Sequence, residues 1–77
     1  MDKTQTGEFV VCIENTGYPA ALEVRKIYEV VADPDAAKLG QIRVIDESGE
    51  DYLFPKEFFR SLDLPQDLRA ALRQASH

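Results

Sequence analysis

The segment 43–62, RVIDESGEDYLFPKEFFRSL, constrains the fold more than any other part of the chain. Arg43-Val44-Ile45 is rich in β-branched side chains, and Tyr52-Leu53-Phe54 is aromatic and apolar. Such residues suit a pleated surface. The stretch between them holds Ser48-Gly49. A two-residue hairpin loop needs positive φ, which glycine adopts without a Cβ clash. The pattern therefore predicts a hairpin with Ser48 and Gly49 at the loop centre. Glu47 then faces Glu50, Asp46 faces Asp51, Ile45 faces Tyr52 and Val44 faces Leu53. This register gathers Ile42, Val44 and Leu53 on one face and Arg43, Ile45, Tyr52 and Phe54 on the other. Both faces are partly apolar, so each should cover something. The choice of core face stays open, because a bulge near Pro55 would exchange them.

Pro55 has no N–H for the ladder and ends the hairpin. Lys56-Glu57-Phe58 reads as a single helical turn. Residues 59–62 read as a short closing strand with Phe59 inward.

The rest of the chain is consistent with one small domain over 1–77. Residues 1–7 are polar and read as a frayed arm. FVVCIE (9–14) is a strand, with Phe9, Val11 and Ile13 on one face and Val10, Cys12 and Glu14 on the other. Residues 15–19, NTGYP, form a loop by composition. Residues 22–31 hold two strand pieces broken at Arg25-Lys26, with Ile27 and Val31 opposite Tyr28 and Val30. In 32–40, Asp33 can cap a short helical turn, Pro34 suits its first position and Gly40 stops it. Leu64, Leu68, Leu72 and Ala75 fall on one helical face. They predict a helix over 64–76, begun at Asp63 or Leu64, with Pro65 in its first turn and Arg69 and Arg73 on a solvated side. So short a helix is marginal alone and should dock on the strands.

The run Leu53 to Leu62 resembles the end of a Src-homology-3-like barrel: a hairpin strand, a proline, a one-turn helix ending in an aromatic and a short strand. ALEVRKIYEVV (21–31) is similar to the strand, diverging turn and strand earlier in that fold. IRVIDESGEDYLFP also resembles a string in small uncharacterised bacterial proteins. The resemblance implies a mainly β chain: a small five-stranded antiparallel SH3-like barrel over 8–62, followed by a C-terminal α-helix. Peptide binders of that fold usually carry Tyr where Phe58 stands. Two departures weigh against proline-rich peptide recognition: the 15–19 loop is short, and no Trp is present.

Charge and composition narrow the function. Formal net charge is −5, from 9 basic and 14 acidic residues. An acidic surface repels phosphate backbones and anionic lipid, which disfavours nucleic acid and membrane partners. The one cysteine, Cys12, permits neither an internal disulfide nor a cysteine zinc site. No signal-peptide pattern or membrane-spanning run is evident, so the expected location is the cytoplasm. Asp46, Glu47, Glu50 and Asp51 crowd the hairpin tip. They read as a solvated tip that discourages edge pairing, with a weak divalent-metal site as the alternative. Arg43, Arg60 or Lys56 could offset their charge. His77, the only histidine, is the last residue, and no nucleophilic triad or phosphate-binding glycine loop occurs. The chain is therefore expected to be no enzyme and to hold no cofactor. Tyr18, Tyr28, Tyr52 and Phe58 form the candidate surface for an unidentified protein partner, with a nucleic-acid-binding barrel as the other alternative.

Overall fold

A computed structural model describes residues 5–75. Residues 1–4 of the expected polar arm, and His77, lie outside the described residues. The elements run β1 (Gln5–Cys12), β2 (Ile27–Val31), α1 (Pro34–Lys38), β3 (Gln41–Ile45), β4 (Asp51–Pro55), a 3-10 turn (Lys56–Phe58), β5 (Phe59–Leu62) and α2 (Gln66–Ala75). The fold is mainly β, with one five-stranded antiparallel sheet in the order β4-β3-β2-β1-β5 and a C-terminal helix. Among the described residues no ladder joins β4 to β5. The sheet nonetheless curls enough to bring the Phe54 and Phe59 rings to 6.3 Å. Among the described residues no helix is long and apolar enough to cross a membrane.

The hairpin forms where expected, in a different register. Ile45 pairs with Asp51, Val44 with Tyr52, Arg43 with Leu53 and Ile42 with Phe54. The loop is Glu47-Ser48-Gly49, closed by Asp46 N–H to Glu50 O at 2.9 Å and Gly49 N–H to Asp46 O at 3.0 Å. Three-residue hairpins place a left-handed residue third in the loop, and Gly49 takes it with φ 85°. The Asp46 carboxylate accepts from Ser48 N–H at 2.8 Å, which favours this longer loop. One added loop residue moves every β4 side chain to the opposite face. Ile42, Val44 and Phe54 thus share the core side, and Leu53 leaves it.

The core consists of Val10 and Cys12 from β1, Tyr28 from β2, Val44 and Phe54 from the hairpin, Phe58, Phe59 and Leu22. Both Phe58 (8% exposed) and Phe59 (5%) are buried. The 3-10 turn points Phe58 inward, and Phe59 begins a strand opposite Cys12.

Leu22 corrects a second expectation. No strand forms at 22–24, yet Leu22 is fully buried. It is held by its N–H to Tyr18 O at 3.0 Å and by Asn15 Nδ2 donating to its carbonyl at 2.9 Å. The turn that follows closes Lys26 N–H on Glu23 O at 3.3 Å. Arg25 sits there at φ 76°, an unfavourable region for a residue with a Cβ. Its N–H bond to Cys12 O at 2.7 Å ties that turn to β1.

β1 begins at Gln5 rather than Phe9, so 5–7 belong to the sheet and not to an arm. It ends at Cys12, where Ile13 N–H turns to Phe58 O at 2.8 Å. α1 is capped as expected: Asp33 Oδ1 accepts from Ala36 N–H at 3.1 Å, and Pro34 opens the helix. α2 starts two residues later than expected, with Arg69 N–H bonding Pro65 O at 3.0 Å. It docks against β1. Arg73 is not simply solvated, since its Nε lies 3.4 Å from Glu29 Oε2.

Candidate interaction surface

Tyr18 is placed by its loop. Asn15 to Tyr18 form a turn closed by Tyr18 N–H to Asn15 O at 2.8 Å. Such a turn with positive φ at its third residue favours glycine, and Gly17 has φ 88°. The Tyr18 ring meets Phe54 edge-on at 5.0 Å and Phe58 at 6.1 Å. Edge-to-face geometry at these separations is attractive. The residue is still 41% exposed.

Tyr52 lies two residues from Phe54 on β4 and so points to the same side. It is half exposed. Its hydroxyl donates to Glu50 Oε1 at 3.1 Å, and that carboxylate holds the phenol proton more tightly than usual. Ile13, joined to Phe58 by its backbone, is a further exposed apolar residue.

The other two sequence candidates are interior. Phe58 is the floor beneath Tyr18 and not a contact residue itself. Tyr28 is buried, and its hydroxyl is used twice within the fold. It accepts from Glu23 N–H at 2.7 Å and donates to Glu47 Oε2 at 2.5 Å. Burial, then the Glu47 carboxylate, push its phenol pKa far up.

The four acids of the tip are divided among separate partners. Asp46 is buried and accepts from both Ser48 N–H and Ser48 Oγ. Glu47 accepts from Tyr28 and forms an ion pair with Lys26 at 2.9 Å. Those contacts, the Tyr28 hydroxyl foremost, hold its carboxyl below the usual range. Glu50 takes the Tyr52 hydroxyl. Asp51 lies opposite Ile45, not Asp46, and Arg43 Nη1 approaches it at 3.5 Å. Arg43 also donates from Nε to Asp33 Oδ2 at 2.8 Å, which holds the Asp33 carboxyl low. Of the three bases expected to offset the tip, Arg43 does so. Arg60 instead donates to the Glu57 and Phe59 carbonyls. Among the described residues no three acids, histidines or cysteines gather in a way that could hold a metal ion.

Cys12 is fully buried, and its thiol donates to Glu14 O at 3.2 Å. Burial raises the thiol pKa and keeps it a packing group.

Sequence reasoning missed Glu29. It is only 4% exposed, on the sheet face opposite the core, and pairs with Phe9. The signal was an acid set between Ile27 and Val31 on one face of IYEVV. The chain matches no family model, no curated protein and no solved structure.

Proposed function

We propose that the chain is a non-enzymatic protein-interaction module, an SH3-like barrel, that meets its partner through Tyr18 and Tyr52. One observation carries the reading: Tyr18 is packed edge-on against Phe54 and Phe58 while much of its ring faces solvent. A ring already held by its neighbours loses little freedom on binding and offers apolar area. Tyrosines of this kind are frequent binding hot spots. The exposed Tyr52 and Ile13 would extend the contact. A buried thiol and the absence of a second cysteine suit a reducing compartment, and the cytoplasm is the proposed location.

The test is affinity capture from source cells with the wild type and Tyr18→Ser, followed by a binding isotherm on the purified partner. Loss of about 2 kcal/mol or more, the hot-spot threshold, is expected for Tyr18→Ser, measured at a temperature where the variant stays folded because the lost contacts with Phe54 and Phe58 lower its melting temperature. A partner bound equally well by both proteins would refute the assignment of this surface.

A further inference from the structure

The two edges of the sheet, β4 and β5, are open, since no strand lies beyond either among the described residues. They differ in what they offer. β4 ends in Pro55, which has no N–H, and carries the Asp51 carboxylate. β5 has neither a proline nor an acid. Ile13 N–H bonds Phe58 O at 2.8 Å, and Val11 and Phe9 stand opposite Arg60 and Leu62. Bonded pairs alternate along an antiparallel ladder, so Phe59 and Ser61 turn their backbone groups away from β1. Phe59 is satisfied locally: its N–H bonds Lys56 O, and its carbonyl accepts from Arg60 Nη1 at 3.0 Å. Ser61 is exposed, and neither its N–H nor its carbonyl has a partner among the described residues. An open groove of about 470 Å³ lies at this edge, lined by Gly40, Lys56, Glu57, Phe59, Arg60 and Ser61.

We propose that this edge accepts an extended, acidic segment of a partner polypeptide as an added strand. The backbone of such a strand supplies the acceptor and the donor that Ser61 lacks. In this mode main-chain bonds give affinity and alternate side chains give specificity. The charge of the groove selects those side chains. Lys56 and Arg60 line it against Glu57 alone, in a chain of net charge −5. Both are exposed, and neither is paired with a carboxylate among the described residues. Arg60 uses Nη1 on two carbonyls and keeps its Nε and Nη2 donors for a ligand. Successive side chains of a strand point to opposite faces. Where one partner residue pairs with Ser61, its neighbour stands opposite Arg60, and an acid there is the favourable cross-strand choice. The Tyr18 surface takes no part, since Tyr18 does not line this groove.

The experiment is an amide chemical-shift titration of the full chain at low salt. The probe is the blocked peptide acetyl-Thr-Glu-Val-Glu-Thr-amide. One control carries glutamine for both glutamates, and a second carries N-methylvaline, which has no N–H to give the Ser61 carbonyl. Saturable millimolar shifts centred on Lys56, Phe59, Arg60 and Ser61 are expected, with the Ser61 N–H moving downfield as it gains an acceptor. The N-methyl control should bind about tenfold more weakly, and the glutamine control about fivefold. Lys56→Gln should weaken the glutamate peptide and leave the glutamine peptide as it was, while Tyr18→Ser should leave both unchanged. No saturable shifts at this edge, or equal binding of the glutamate peptide and either control, would overturn the proposal. Shifts of the same residues on concentrating the protein alone would give the edge to a second copy of the chain and overturn it too. The peptide comparisons need no variant to fold.

Discussion

The Tyr28 hydroxyl donates to Glu47 Oε2 across 2.5 Å and so ties the middle sheet strand to the hairpin loop. The Tyr28 hydroxyl oxygen in turn accepts the Glu23 N–H at 2.7 Å, which adds the turn before β2 to the link. Three segments distant in sequence are thus held by one phenol in the core.

Tyr28→Phe should destabilise the fold by about 1.5–3 kcal/mol, the range for a hydrogen bond to a charged group. It keeps the ring and removes only the hydroxyl, so packing is preserved. Urea denaturation measures the effect. An unchanged midpoint would mean that the link adds no net stability.

The pH dependence follows from the same link. The Glu47 and Asp33 carboxyls are depressed below their ordinary values of 4.5 and 3.8. A depressed acid contributes stability that is fully present above its ordinary value and is lost as pH falls through the folded value. The Tyr28 phenol is raised above its ordinary value of 10.0, so its contribution is present below that pH and lost as pH rises beyond it. Melting temperature should therefore fall on both sides of a neutral plateau. Glu47→Gln should flatten the acid limb, and Tyr28→Phe should flatten both, since its hydroxyl is the foremost cause of the Glu47 depression. Limbs identical to wild type in thermal melts from acid to alkaline pH would exclude these groups as the cause.

Gly49→Val should destabilise the hairpin by about 1–2 kcal/mol, the left-handed penalty for a side chain. A Cβ at Gly49 would meet nothing within 4 Å, so the cost is one of backbone conformation and not of crowding. Chemical denaturation of Gly49→Ala and Gly49→Val should show both weakened, with Val the worse. Wild-type stability in both would rule out the three-residue loop.

Phe59→Ala should cost about 3–5 kcal/mol as a buried aromatic truncation. Phe58→Ala should cost a similar amount, since its ring is nearly as buried. Equilibrium unfolding of the two variants compares them directly. A mild effect at Phe58 alone would show that its site can collapse around the gap.

Deleting residues 66–77 should lower the melting temperature and promote aggregation, because the docked helix covers β1 and supplies the cation beside Glu29. Without the helix, apolar side chains on that sheet face, Phe9 among them, would meet water. Light scattering and thermal melts of the truncated chain are the readouts. Wild-type behaviour would make α2 dispensable for the fold.

Local chemistry in the sequence determined much of the architecture. The β-branched and aromatic runs mark β3 and β4, Asp33-Pro34 starts α1, Pro55 precedes the 3-10 turn, and the leucine spacing marks α2. Each depends on residues a few positions apart, so each is legible from the sequence. Tertiary structure decided what depends on distant partners. The hairpin loop took three residues because Asp46 folds back on Ser48, and that single step moved Leu53 out of the core side and brought Phe54 in. Leu22 is buried without a strand because Asn15 and Tyr18 hold its backbone. Tyr28 left the candidate surface because Glu23 and Glu47 satisfy its hydroxyl inside the fold, so the ring can be buried at little polar cost. Glu29 is an interior charge on the strand beside β1, where α2 docks and brings Arg73 to it. Periodicity assigns a residue to a face, but the packing of another element decides whether that face meets water.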